Sequence, residues 1–526
     1  MDLPRLRSAA RLRRDRTVHR CLLIHEIFAE IARNLVRDAD KFHLAQVCRA
    51  FYETSMDELW RSPPTVLLKL ISCLPRDTIY TAGESGSPTV FGKVEVLRTP
   101  APHEWGRFKH HARRVKRLEL GVTGDNIRDR AGLTQYLDAL AGCFPGIPVL
   151  PNLKTLYVLP PFTCYIHLFL HPHLSDFIWP LCPSEPIQNV VSLLDRICAP
   201  SLRSLALCHR GPAPKLQPPT LSSYESLLFS CRSLVCLHTA VPLHFGTVAE
   251  LPAASSLVRL EIRAPFLEDP EATRSPTRSI SGPTQFANLQ MLDMLCTVRD
   301  IMRYLQGTSM PALHHIKLSC NAVTDRTNAT TTIHPVSGGD VAELMALLPS
   351  LPSLQRLHIF LPWARSATLL PGSALLPLTS MRNLTEINLH RLHVNLQPGD
   401  IKAMALAWPR LRYLCLGAWA EVRLNFQPSI CVEDLHPFAR HCPSLGFLAV
   451  VVAGCERTVD TADVAPHQLE VLAIGPSIIH AAEDQDRIIR FLSAVFPRVD
   501  VVMGDQKTAH GVVAARLRAR EARGAD

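Results

Sequence analysis

One spacing recurs through most of this chain: an apolar residue, two residues, an apolar residue, one residue, then a third apolar residue. It stands at Val115–Leu118–Leu120, Leu153–Leu156–Val158, Leu202–Leu205–Leu207, Leu257–Leu260–Ile262, Leu289–Leu292–Met294 and Leu313–Ile316–Leu318. It continues at Leu354–Leu357–Ile359, Leu384–Ile387–Leu389, Leu411–Leu414–Leu416, Leu445–Leu448–Val450 and Leu469–Leu472–Ile474. Leu234–Leu237 is a degraded twelfth copy, and with it counted the first positions lie 23 to 49 residues apart. Residues two apart on extended backbone point to one side, so the last two positions of each copy describe the buried face of a short strand. Six copies open Pro-x-Leu, at Pro151, Pro200, Pro311, Pro352, Pro409 and Pro443. Proline cannot continue a helix and biases its predecessor towards extended geometry, so each proline ends one element and sets up the next.

Helix-period segments precede several of these prolines. Val341, Leu344, Met345 and Leu348 fall at i, i+3, i+4, i+7, and Val190–Ile197, Val298–Leu305 and the segment from Asp400 to Trp408, with Asp400 as N-cap, behave alike. Strand, loop and helix therefore alternate, as in a right-handed α/β solenoid whose strands line the concave face. Leucine supplies 76 of 526 residues and proline 42, the composition such a repeat demands. The copy from Leu313 to Asp325, with Cys320 after its strand, resembles the cysteine-containing leucine-rich repeat, in which that cysteine is buried. The expected fold is α/β: a short N-terminal three-helix module followed by a curved leucine-rich-repeat solenoid. Ile488, Ile489, Leu492 and Val495 share a helical face that would cap the array, with a last strand at Val499–Val501.

The chain carries 56 Lys+Arg against 47 Asp+Glu, a formal excess of 9 spread over 526 residues, too dilute for a nucleic-acid footprint. The arginine-rich stretch Met1–Arg16 lacks the apolar core of a secretory signal, and Asp2 and Asp15 interrupt it as a mitochondrial presequence. The most apolar later stretch, Phe162–Leu181, is broken by His171, Pro172, His173 and Asp176, so no membrane span is expected. The 16 cysteines are scattered, many within apolar runs such as those around Cys48, Cys208 and Cys415. These features point to a reduced interior, cytoplasm or nucleus.

Ahead of the repeats, Ile24, Ile27, Phe28, Ile31 and Leu35 form a helical stripe, and Leu44, Val47, Cys48 and Phe51 a second. Ser55-Met56-Asp57-Glu58 has the capping-box pattern of a third helix, ended by Pro63-Pro64. Three short helices cannot enclose a core alone, so their apolar faces need a partner. Residues 19–62 resemble the F-box on Leu23-Ile24-His25-Glu26-Ile27, Leu35, Leu44-Ala45-Gln46-Val47-Cys48-Arg49-Ala50-Phe51 and Leu59-Trp60. Ile24 stands where that family usually has proline. With the repeats, the chain resembles the F-box/leucine-rich-repeat proteins, especially their large fungal sets. The organisation expected is a basic N-terminus (1–18), the F-box-like module (19–62), a helical linker (63–114), the solenoid (115–505) and a basic tail (506–526). Within the linker, Thr81–Pro88 is rich in Gly, Ser and Pro, and Glu268–Pro283 and Asn321–Gly339 read as polar loops inserted in the array.

Catalytic signatures are absent from the sequence. His25-Glu26 has Ala29 where a zincin has its second histidine, and Cys231 and Cys236 lack a second pair at zinc spacing. Gly83-Glu84-Ser85-Gly86-Ser87 is no nucleophile elbow, His110-His111 and His171-x-His173 lack a third ligand, and no phosphate loop occurs. No metal, cofactor or enzymatic activity is expected. The family resemblance implies an adaptor of a Skp-cullin-F-box ubiquitin ligase: Leu23, Ile24, Ile27, Leu44, Val47, Cys48, Leu59 and Trp60 would dock on the Skp-type subunit, and the repeats would hold a protein substrate. The alternative is a repeat scaffold whose helical module merely caps the array, without a ubiquitin link. Residues flanking the inward strand positions face the concave side: Tyr157, Arg259, Glu261, Arg263, His315, Lys317, Arg356, His358, Phe360, Glu386, His390, Tyr413 and Phe447. Of these, Arg259, Arg263, His315, Lys317, Arg356, His358, Phe360, His390 and Tyr413 are the expected substrate contacts. Arginine with aromatics is the composition of binding hot spots, and Lys317 and Arg356 suggest an acidic or phosphorylated segment as ligand.

Overall fold

The computed structural model describes residues 24–61, 66–83, 91–120, 130–159, 162–181, 187–209, 218–244, 247–248, 251, 256–264, 284–320, 323–324, 333–334, 336–361, 369–390, 392–417, 428–453, 466–474 and 482–502. The basic N-terminus, Leu23, Glu268–Pro283 and the tail lie outside them. The chain forms two compact units that divide between Leu202 and Arg203.

The first unit opens with α1 (His25–Asn34), α2 (Asp38–Val47) and α3 (Arg49–Arg61). The capping box read at Ser55 is not a helix start. The break falls at Cys48, which is extended (φ −160°, ψ 167°), and Ser55 lies mid-helix and fully buried. The apolar stripe of α1 divides between two sides. Phe28 and Ala32 turn inward, with Phe28 stacked on Phe51 at 4.1 Å between ring centroids, whereas Ile24, Ile27 and Ile31 face solvent. A short helix α4 (Val66–Ile71) follows, then an antiparallel hairpin of β1 (Ile79–Gly83) and β2 (Phe91–Val96), then α5 (Gly106–Ala112). The segment expected as a helical linker thus contains a hairpin, and most of the Gly/Ser/Pro-rich stretch from Thr81 lies outside the described residues. Strands β3 (Arg117–Leu120), β4 (Thr155–Val158) and β5 (Asp176–Leu181) pair in parallel.

In the second unit eleven parallel strands run in chain order across one sheet: β6 (Ser204–His209), β7 (Cys236–Thr239), β8 (Arg259–Ile262), β9 (Met291–Cys296), β10 (His315–Cys320), β11 (Arg356–Phe360), β12 (Glu386–His390), β13 (Tyr413–Leu416), β14 (Phe447–Ala449), β15 (Val471–Ala473) and β16 (Asp500–Val502). Every apolar position of the eleven full copies, across both units, is at most 2% exposed. Such uniform burial arises because each repeat supplies only a strip of core and closes it against its neighbour. The fold is an α/β solenoid of leucine-rich repeats.

The degraded copy has a physical account. Its third position is Thr239, fully buried, whose hydroxyl donates to Val241 O (3.2 Å) and accepts from Val241 N (3.0 Å), so a polar side chain is satisfied inside the core. One further copy escapes the Leu/Ile/Val/Met pattern: Leu174–Phe177–Trp179, each 0% exposed, with the last two on β5. Cys320 is buried, as the cysteine-type repeat implies; Cys231 is buried too, but Cys236 only partly. Helices alternate with the strands in the chain, at Ile187–Ile197, Val298–Gly307, Gly338–Leu347 and Pro398–Ala407. Asp400 is not the N-cap of the last but its third residue, where its Oδ2 accepts from Gln397 N at 2.9 Å. Ile488, Leu492 and Val495 of the helix Ala482–Val495 are fully buried, and β16 pairs with β15 at the end of the sheet.

Candidate functional site

Two surfaces carry the residues singled out by sequence. On the helical module, Ile24, Ile27 and Ile31 are 47%, 41% and 41% exposed and occupy one face of α1, because i, i+3 and i+7 share a side of a helix. On α2, Val47 is 64% exposed, and Phe42 and, on α3, Tyr52 are also uncovered. Leu44, Cys48 and Leu59 are half-buried. Trp60 departs from the expected docking set. It is buried and stacks on His111 of α5 at 4.4 Å, so its ring is already packed within the unit. Ile31 and Phe42 are the apolar residues that sequence reasoning left out. The heptad-like spacing of Ile31 with Ile24 was the available signal.

The module is held to the rest of its unit by more than that stack. Arg114, preceding β3, is buried and pairs with Glu53 and Asp57 on α3, and its Nη1 also donates to Glu53 O at 3.2 Å. Lys116 N donates to Arg61 O at 2.9 Å. Burial pushes the His111 imidazole down to about 4, with His110 and the Arg114 and Arg107 guanidiniums adding to the effect.

On the second unit, strand register aligns the outward residues into rows. The outer row runs Cys236, Arg259, Met291, His315, Arg356, Glu386, Tyr413, Phe447 and Val471, and the middle row His238, Glu261, Asp293, Lys317, His358, Asn388, Cys415, Ala449 and Ala473. Glu261 and Asp293 are buried under the cations of their neighbours. Arg263 Nε lies 2.8 Å from Glu261 Oε1, and its Nη2 lies 2.9 Å from Asp293 Oδ2, which also takes Lys317 Nζ at 3.2 Å. Arg259 reaches Glu261 at 3.3 Å, and Arg356 Nε reaches Glu386 at 3.2 Å. Lys317 and Arg356 thus each have a carboxylate partner on the same face. Burial lowers the pKa of His238, His315 and His358 and keeps these imidazoles neutral, against the opposing pull of Glu261 on His238 and of Glu386 on the other two.

His315 and His358 meet edge to face at 5.1 Å, and Phe360 lies beyond His358 at 6.4 Å. Tyr413 and Phe447 stack in parallel, 4.3 Å apart with 4° between their planes, over the buried Cys415, Ala449 and Ala473. Phe360 and His390 are partners in the β11–β12 ladder, but the His390 side chain lies outside the described residues. Tyr157 is on β4 of the first unit. Among the described residues no cluster of three or more His, Cys, Asp or Glu could hold a metal ion, and no helix is long and apolar enough to cross a membrane.

No family model matches the chain, and no curated protein matches it. Solved structures do. A leucine-rich-repeat protein of Leptospira interrogans is 14% identical, covering 77% of this chain and 93% of its own with a TM-score of 0.31. The plant peptide hormone receptor RGFR1, solved in complex with RGF2, is 12% identical over 77% of this chain and 65% of its own, with a TM-score of 0.34. Yeast Rad7, solved in complex with Elc1, is 14% identical over 66% of this chain and 73% of the other, with a TM-score of 0.30.

Proposed function

We propose that this protein is a non-catalytic adaptor: its helical module docks on the Skp-type subunit of a cullin-RING ubiquitin ligase, and its repeats hold a protein substrate. One observation carries the reading. Ile24, Ile27, Ile31 and Val47 are left open to solvent on a module of about forty residues, whereas the repeats bury their apolar positions completely. Exposed apolar clusters of this kind mark interaction sites, and these belong to the segment that resembles the F-box. Burying each such side chain fully is worth about 1.5–3 kcal/mol, so a partner gains from covering several at once.

The test is capture of a purified Skp-type subunit by the full chain. Ile27→Asp with Val47→Asp should abolish capture while leaving the fold intact, because both side chains are already substantially exposed. Undiminished capture by the folded variant would refute the docking face. A scaffold without a ubiquitin link is the second reading, favoured by Ile24 in place of the family's proline and by the Arg114 and Trp60 contacts that seat the module as a cap. No capture by the wild-type chain would select it.

A further inference from the structure

The outward face of the second unit changes character along its length. From His238 to Lys317 it is a set of satisfied ion pairs, with three cations (Arg259, Arg263, Lys317) answered by two carboxylates (Glu261, Asp293). From His315 to Asn388 the uncharged His315, His358 and Asn388 stand beside a single ion pair, Arg356 with Glu386. From Tyr413 to Ala473 it is apolar, a stacked aromatic pair over a floor of Cys415, Ala449 and Ala473. In this middle stretch, His315 Nε2 and Asn388 Oδ1 are buried without a hydrogen-bond partner. Asp293, 2% exposed, leaves its Oδ1 unpartnered at the border of the same region. Buried polar atoms without partners are costly, and several on adjoining strands of one face point to a group that supplies the missing bonds.

We propose that the face from His315 to Phe447 holds an extended, uncharged segment of a partner protein, with Asn or Gln side chains against His315, His358 and Asn388 and an aromatic or aliphatic side chain on the Tyr413–Phe447 pair. A carboxamide offers both an N–H and a C=O, so it serves an imidazole nitrogen in either tautomer and the Asn388 amide as well. An acidic segment would have to compete with carboxylates already bound to the cations, and a basic one would meet Arg356 and Lys317. From β10 to β14 the face spans four strand spacings, about 19 Å, which an extended chain covers in about six residues. The proposal rests on the reading that the repeats hold a protein segment, and it needs no ubiquitin ligase.

The experiment is selection of random twelve-residue displayed peptides on the purified full chain, followed by affinity measurement of the enriched peptides by fluorescence polarisation. Peptides with little net charge that combine Asn or Gln with an aromatic or aliphatic residue within about six positions should be enriched. Their affinity should fall about tenfold or more in Phe447→Ala and in His315→Ala. Phe447→Leu, which preserves burial, should weaken them less, and Ile27→Asp/Val47→Asp should bind them as the parent does. That last control separates this site from the adaptor reading, because loss of Skp-type capture leaves it untouched. Enrichment of acidic, phosphomimetic or basic peptides, no enrichment at all, or affinity unchanged in both folded Phe447→Ala and His315→Ala would overturn the proposal.

Discussion

The ion network around Asp293 makes an ordering of stabilities that contact lists alone do not give. Replacing Arg263 with Met removes a cation that is 30% exposed but strands the two carboxylates buried beneath it, Glu261 and Asp293. Breaking a buried pair so that a charge remains inside costs about 3–5 kcal/mol. Asp293 keeps Lys317 at 3.2 Å and Glu261 keeps Arg259 at 3.3 Å, which places the loss near the lower bound, about 3 kcal/mol. Replacing Asp293 with Asn does the opposite: the buried charge goes, Arg263 retains Glu261 at 2.7 Å, and Lys317 is exposed enough to turn to water. That loss is of the order of one charged hydrogen bond, about 1–2 kcal/mol. Urea unfolding followed through tryptophan fluorescence, to which the buried Trp408 contributes, should therefore rank Arg263→Met as the more damaging, at unchanged slope. Adding Asp293→Asn to Arg263→Met should recover part of the loss. An Asp293→Asn variant as unstable as Arg263→Met, or more so, would refute the account of the carboxylates as the buried, dependent partners.

Other perturbations test other contacts. Trp60→Ala should cost about 3–5 kcal/mol and show in a lowered thermal midpoint, because the ring is buried against His111. Gly372→Ala should destabilise the repeat that ends in Asp400, since an added Cβ would collide with the Asp400 carboxylate and meet Asn395 O at 3.0 Å; a midpoint equal to the parent's would contradict this. His111 ordinarily titrates near 6.5 and in the folded chain near 4, so the unfolded state takes up a proton that the folded state refuses. Stability should hold above about pH 6.5 and fall as pH drops towards 4, and His111→Phe should flatten that fall in denaturation measured across the window. Leu492→Ala should cost about 2–5 kcal/mol by opening the end of the sheet, seen as an earlier unfolding midpoint.

The repeats are legible in sequence because their signal is periodic and answered identically by burial: each Leu-x-x-Leu-x-Leu returned a strand. Three positions escaped it for chemical reasons. Phe177 and Trp179 are aromatics in the places of leucines, and Thr239 is a hydroxyl made tolerable by a local turn. The hairpin of β1 and β2 left no alternating pattern strong enough to distinguish it within a segment expected to be helical. Docking residues divided by orientation, which spacing alone cannot fix. Ile27 and Phe28 are neighbours in sequence, yet only Phe28 meets Phe51, and Trp60 turned inward to His111. The concave-face composition was readable, but its pairing was not. Arg263 and Asp293 are 30 residues apart, and only strand register shows that a carboxylate lies under each cation.

The in-register rows also set a metric for anything lying across them. Neighbouring strands are separated by ~4.8 Å, whereas a polyproline-like chain advances ~3.1 Å per residue and a strand ~3.3 Å. The two rulers are incommensurate at one step but nearly coincide when two strands are matched to three residues, at roughly 9–10 Å. A peptide crossing β10 to β14 would thus come into phase with the wall at every third residue, meeting His315, then Glu386 and Asn388, then Phe447 on alternate strands. The residues between those beats are read weakly or not at all. A sheet of this kind spells its specificity in a sparse alphabet, and inserting one repeat within it would put every later beat half a period out of step.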